Sequence, residues 1–435
     1  MIKKMKAKEV LLLLLIILIG VGFHYFDRIK AGIEDRDLIL KLRGESYLFE
    51  ESFSREPAEI LKVINTHGSI QVEGGDTDRI QIILEKRVWS KNEEEAREIA
   101  EKIKPLMTAE DQQLVLTTNR DSFRRKNFTT SFRLKVPSTT ALIIRNSYGP
   151  VRISGAKEVD LENPGGKVEI IEISGAVRVK NSHEKVSIID AGGECQLETR
   201  HSSALLSRIG GPVRIDCAHE TLELFDLKNS LNIQSRHTRI KALRISGPLE
   251  IKGSHELISL METGPALIRG HHSPVEITRL KGKLDLETTY EKIKISEVEG
   301  DLMVRAKSSR IEIVNASGGN FNIETTYEPV TLENFSGQLQ LISKHGDIRL
   351  VPSSLDFPIF ARTAYGDITF FWPENQTARF QAFTRGGSIS WKLPLLPDEN
   401  TSNGTAVLKA FCSALDRPEI KLETAYGDIK ILKKE

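Results

Sequence analysis

Cysteine is scarce, with three in 435 residues, so no disulfide framework organises the chain. Cys195, Cys217 and Cys412 also lack the spacing of a zinc site. Aromatic residues make up 6% and apolar residues 39%, thin for the deep core of a large globular enzyme. Proline, at 16 residues beside 31 glycines, is too sparse for a disordered or collagenous chain. An excess of one charge is missing as well. Lys and Arg number 61 against 60 Asp and Glu, a net charge of +1, which leaves no global field to attract nucleic acid. No G-x-S-x-G, H-E-x-x-H or P-loop pattern occurs. No segment gathers the paired carboxylates that a polysaccharide lyase or hydrolase uses. These absences exclude most enzyme classes and predict a non-catalytic protein without cofactor or metal. A narrow core with much surface is the mark of a solenoid.

The one long apolar run lies at the start. Residues 1–9 form a basic tail with Lys3, Lys4, Lys6 and Lys8, and Val10–Phe26 follows without a formal charge. Its 17 residues reach the lower limit for a bilayer span, and flanking lysines can snorkel. The preceding lysines predict an N-in, single-pass signal anchor in the cytoplasmic membrane, with the rest extracytoplasmic, periplasmic or on the cell surface. Cleavage near Gly20-Val21-Gly22, with secretion, is the alternative. Residues 27–58 are charged and aperiodic and are expected to form a stalk.

The remainder repeats. His183, His201, His219, His237, His255, His272, Tyr290, Ser308, Tyr327, His345 and Tyr365 form a column with steps of 17 to 20 residues, most of them 18. Half a period away runs Gly193, Gly211, Asn229, Gly247, Gly264, Gly282, Gly300, Gly318 and Gly337. Asn at 229 suggests turns that need a left-handed residue. Between the columns apolar residues alternate, as in Val213/Ile215 and Leu222/Leu224, so each repeat holds two short strands. The fold class is all-β: a single-stack β-solenoid of 18-residue rungs over 146–435, rising about 4.8 Å per rung. About 15 rungs would make a body on the order of 70 Å long. Cys195 falls at the inward position of Val213 and Cys217 at that of Thr199, too far apart along the strand to bridge.

Residues 59–145 form an N-terminal β part interrupted by one amphipathic helix at 91–104, where Ala96, Ile99, Ala100 and Ile103 share a face. At the other end an insertion spans 373–418. Thr363-Ala-Tyr-Gly-Asp-Ile368 recurs letter for letter as 424–429, which predicts a last rung whose charged 430–435 tail protects the open edge.

The stretches HGSIQVEGGDTDRIQI, EEEAREIAEKIK, FRLKVPSTTALIIRNSYGPVRISG and the TAYGDI-like rungs resemble a bacterial adhesin-like family of β-strand repeat proteins with a DUF4097-type domain. The resemblance covers about residues 59–435. It implies an exported, non-catalytic envelope protein and carries over no catalytic residues.

Two features are candidate sites. The His/Tyr column could ligate a metal, but a parallel row does not converge on one ion, so stacked rings at a structural corner are expected. Arg120, Arg124, Arg125 and Lys126 could contact an anionic envelope polysaccharide, although charge also gathers in solvated loops. The Gly-Asp pairs at 346, 366 and 427 lack the oxygen density of a calcium loop. The expected partners are the membrane through 10–26, and envelope polysaccharide or another envelope protein.

Overall fold

The computed structural model describes residues 45–434 except 111, 124–126, 393–396, 403–404 and 412–416. The alternation read from the sequence appears as paired parallel strands. In one rung, Cys195–Arg200 buries Cys195, Leu197 and Thr199, and Ala204–Ile209 buries Ala204, Leu206 and Ile209. The first strand lies in register on Val213–Ala218, with Leu197 over Ile215, and the second on Thr221–Leu227, with Leu206 over Leu224. Two parallel sheets result, face A from the first strands and face B from the second, with one apolar layer between them. About 13 turns follow this rule, and a single core runs from Leu61 to Ile431.

Cys195 pairs with Val213 and Cys217 with Thr199. Both thiols are free and buried, and burial pushes them up to about 12 and about 11.

At the N-terminal end the order in space departs from the order in sequence. Strands β1 (Glu45–Arg55), β2 (Ile60–His67), β3 (Ile70–Gly75) and β4 (Ile80–Ser90) precede helix α1 (Glu93–Lys102). After it come β5 (Pro105–Glu110), β6 (Gln113–Thr118), β7 (Phe128–Pro137), β8 (Ala141–Tyr148) and β9 (Val151–Ser154). The β2/β3 rung lies between β6/β7 and β8/β9. Antiparallel β4 extends the sheet beyond β7, β1 beyond β4, and β5 beyond β6. The helix falls within the expected 91–104: the Asn92 carboxamide accepts from the Glu95 N–H, and Ala96, Ile99 and Ala100 are buried. Beneath it, Lys86 is buried, donates to Ala100 O at 2.9 Å and pairs with Glu51. Of the stretch expected as a stalk over 27–58, residues 27–44 lie outside the described residues, and 45–55 is strand. Its weak alternation of Tyr47, Phe49 and Phe53 packs beside α1 and the core.

The C-terminal end uses the same device. Glu419–Thr424 and Ile429–Lys433 lie between the Ile359–Arg362/Ile368–Trp372 rung and the Arg379–Thr384/Ile389–Trp391 rung. An antiparallel ribbon of Thr405–Phe411 and Pro397–Ser402 continues outward from Arg379–Thr384. This corrects the expected end: residues 429–433 are an inner strand, and the outermost rung comes from within 373–418. The two TAYGDI copies stack directly, with Asp428 N donating to Asp367 Oδ1 at 2.8 Å and Tyr365 on Tyr426.

The glycine column divides in two. Gly282, Gly300 and Gly318 take φ of 108°, 137° and 77°, as a left-handed turn requires, whereas Gly193, Gly211 and Gly247 have no left-handed φ, nor has Asn229. A Cβ on Gly211 would lie 2.4 Å from the Gly193 carbonyl carbon and 2.6 Å from Glu194 N. Close backbone approach between rungs requires glycine there. Asn229 donates to Gly210 O at 2.6 Å.

The predicted transmembrane segment at 10–26 lies outside the described residues. Among those described, no helix is long and apolar enough to cross a membrane.

Candidate functional site

The His/Tyr column forms the turn between faces A and B. His201, His219, His237, His255, His272 and Tyr290 have φ between 51° and 69°, a left-handed region where His is enriched among non-glycine residues. Rung stacking brings their rings together. From His183 to Tyr290, successive centroids lie 4.5 to 6.1 Å apart with interplanar angles of 4° to 22°. The column breaks at Ser308 and resumes from Tyr327 through His345, Tyr365 and Tyr426 at 4.7 to 5.3 Å. Inside the same turn, Asn146, Asn163 and Asn181 are buried and donate to the turn carbonyls of Gly149 and Gly166. They satisfy backbone acceptors that the turn would otherwise bury unpaired.

Beside the rings, face A carries a shallow groove of about 890 Å³, lined by Arg200, Arg236, Lys252, Arg269 and His271 with Asp216 as its acidic member. Ring edges next to cations can contact sugar hydroxyls and carboxylates. Among the described residues, no group of three or more His, Cys, Asp or Glu is placed to hold a metal ion.

Of the basic cluster, Arg124, Arg125 and Lys126 lie outside the described residues. Arg120 is far from the groove in sequence and is occupied locally. It donates to Phe128 O at 2.9 Å and lies 4.4 Å over the Phe128 ring. Burial holds its pKa below the usual value. Arg120 also helps burial to hold His67 below the ordinary imidazole range.

Sequence reasoning passed over a second column, at the far end of face B. Glu172, Asp190, Arg208, Asp226, Arg244, Glu262, Arg279, Glu297, Asn315 and Asn334 all have φ between 53° and 58°. Each is a one-residue corner that drops out of the strand register; Phe225 pairs with Leu243 and Leu227 with Ile245, while Asp226 and Arg244 are skipped. From Asp190 to Glu297 the signs alternate, and neighbours pair. Arg208 grips Asp190 with two nitrogens, one at 2.7 Å, and Arg244 grips Asp226 likewise at 3.1 Å. Arg279 meets Glu262 at 3.0 Å. The Arg208 and Arg244 hydrogen bonds hold the Asp190 and Asp226 carboxyls below the usual range. The 18-residue spacing was visible, but these residue types do not advertise a left-handed corner.

Next to this column an outward apolar stripe runs along face B. Ile171, Ile189, Phe225, Leu243 and Met261 fall on one register line, interrupted by Ser207. Met261 is 40% exposed.

Three solved structures are similar to this chain. A "putative cell adhesion protein" from Clostridium sporogenes is 9% identical with a TM-score of 0.17, covering 89% of this chain and all of that one. A "putative adhesin" from Parabacteroides distasonis is 12% identical with a TM-score of 0.18, covering 71% and 98%. Another "putative adhesin", from Bacteroides fragilis, is 11% identical with a TM-score of 0.16, covering 89% and 97%. At these TM-scores the likeness carries no argument. No curated protein matches. The family described as Toastrack DUF4097 matches residues 63–432, the whole two-sheet stack but for its margins, and the chain belongs to that family.

Proposed function

We propose that this protein is a non-catalytic, adhesin-like solenoid, held at the membrane by residues 10–26 with its repeat body extracytoplasmic. It binds an envelope polysaccharide along the ring column and the adjoining basic groove. The observation that carries this reading is the repetition. Rings recur at one rung spacing, and four of the five rungs beside them carry a cation, Arg200 and Arg236 on one register line and Lys252 and Arg269 on the next, so an extended anionic polymer meets a similar contact several times. Individually weak contacts then add by avidity. Arg124, Arg125 and Lys126 are a second contact for the same polymer.

Co-sedimentation of the detergent-solubilised full chain with peptidoglycan and envelope polysaccharide, across a salt series, tests the proposal. Saturable pelleting that weakens with salt, and weakens further in an Arg200→Ala/Arg236→Ala/Arg269→Ala variant, is expected. No pelleting at any salt would reject it. Release of reducing sugar ends during the incubation would instead place the chain among carbohydrate-active enzymes.

A second reading has its own observation. Among the described residues, Pro397–Ser402 pairs on one side only, with Thr405–Phe411, and so offers an open edge to which a strand of an envelope assembly or stress protein can add. Removing 393–416 would abolish such binding and leave polymer pelleting intact.

A further inference from the structure

We propose that face B is a homophilic surface, on which a second copy of this chain packs antiparallel. The twofold axis runs along the strand direction, between the rungs of Asp226 and Arg244.

Two independent patterns point to a self-complementary partner. The first is charge. A twofold at that place sets Asp226 opposite Arg244 of the second copy, Arg208 opposite Glu262, and Asp190 opposite Arg279. Every charge from Asp190 to Arg279 then faces its opposite, because reversal about a point between two rungs exchanges odd and even positions of an alternating series. Only Glu172 and Glu297 meet as like charges. The pairs within the chain leave donors over: Arg244 uses Nε and one terminal nitrogen on Asp226, and a guanidinium has five N–H groups.

The second pattern is the apolar stripe. Under the same operation Phe225 lies over Leu243 of the second copy, the centre of the interface, and Met261 lies over Ser207. The outer contacts, Ile189 over Thr278 and Ile171 over Ser296, are mixed. An apolar centre with a charged margin is the layout of a specific interface. Eight rungs span about 38 Å, and four strand residues span about 13 Å. Each copy therefore buries about 500 Å², at the low end for a specific contact and in the range of transient ones. Such a contact becomes firm only when many copies share a surface.

The antiparallel arrangement has a consequence that rests on the membrane-anchored, adhesive reading above. It places the β1 ends of the two copies at opposite ends of the pair, so their anchors would enter two facing membranes. Adhesion would then be homophilic, between one copy on each surface.

Crosslinking of the full chain in detergent tests the pairing, with Cys412→Ser as background and a bis-maleimide of about 10 Å span, the distance between packed sheets. Mixing Ile189→Cys with Thr278→Cys chains should give a covalent dimer. Ile189→Cys alone should give several-fold less, since those sites lie five rungs, about 24 Å, apart. Phe225→Glu, at an outward position, should reduce the mixed product at least tenfold while circular dichroism stays unchanged. Leu243→Glu should do the same if Phe225→Glu fails to fold. Absence of the mixed product, or equal yield from Ile189→Cys alone, overturns the proposal. The readout contains no polysaccharide, so a failure of polymer binding and a failure of self-pairing are seen separately.

Discussion

Asp226 and Arg244 occupy backbone at φ 56°, where an L-residue without special reason is disfavoured by about 1–2 kcal/mol. What they gain is a partner one rung away, and the gain depends on pH. The Arg244 hydrogen bond holds the Asp226 carboxyl below its ordinary value, and Arg208 does the same for Asp190. In acid the unfolded chain therefore binds more protons at these sites than the native one. Their contribution is complete above the ordinary carboxylate pKa of about 3.9 and fades as pH falls through it toward the depressed native value. An Asp190→Asn/Asp226→Asn variant should lose part of the acid-side slope of stability against pH. Asn is tolerated in the left-handed region, so its cost should be confined to pH above the ordinary carboxylate pKa: a lower urea midpoint near neutral pH that converges on the parent's in acid. Urea unfolding followed by circular dichroism from pH 7 to about pH 3 checks this; an unchanged acid slope would show that the ladder carries no linked protons. The His and Gly columns were legible at this scale because one residue type repeats. The charge column was not, since its residues share only a backbone conformation.

At the scale of the strand and its neighbours, glycine and lysine behave in ways composition cannot reveal. A Cβ at Gly211 meets the backbone of Gly193 and Glu194, which cannot step aside, whereas one at Gly75 has nothing within 4 Å. Gly211→Ala should therefore cost more than about 2 kcal/mol, and Gly75→Ala should be neutral or stabilise by up to about 1 kcal/mol. Equal midpoints for the two variants would refute the close-approach account. Under α1, Lys86 is buried and is held by Glu51 and Ala100 O. Glu51→Leu leaves a buried charge without its counter-ion and should cost about 3 kcal/mol. Lys86→Met in the same chain should recover most of that loss, as a double-mutant cycle would show. The helix and its apolar face could be read from the sequence. The ion pair under it could not, because Glu51 and Lys86 meet only when β1 pairs with β4.

For the whole molecule, rung stacking makes stability close to a sum of neighbouring terms, and the charge ladder adds a parity. Deleting 213–248 removes two rungs and leaves Arg208 above Glu262, opposite signs. Deleting 231–248 removes one rung and sets Asp226 against Glu262. The larger deletion, shortened by about 10 Å in small-angle scattering, should therefore cost less than twice the stability lost in the smaller one. A loss of twice as much or more would mean that the ladder does not govern rung pairing.

The rung length, the two strands per rung, the inward positions, the ring column and the helix at 93–102 could all be read along the chain. These rest on contacts between residues about 18 apart, and such contacts leave a period in the chain. How the stack ends, that its face-B corners are left-handed and charged, and that face B has a twofold-compatible pattern emerge in three dimensions alone. The β2/β3 rung is enclosed by β6/β7 and β8/β9, and 419–433 by rungs on either side, through pairings of segments separated by the intervening ribbons. Those pairings obey no period, because what selects them is the need to cover open strand edges at the two ends of the molecule.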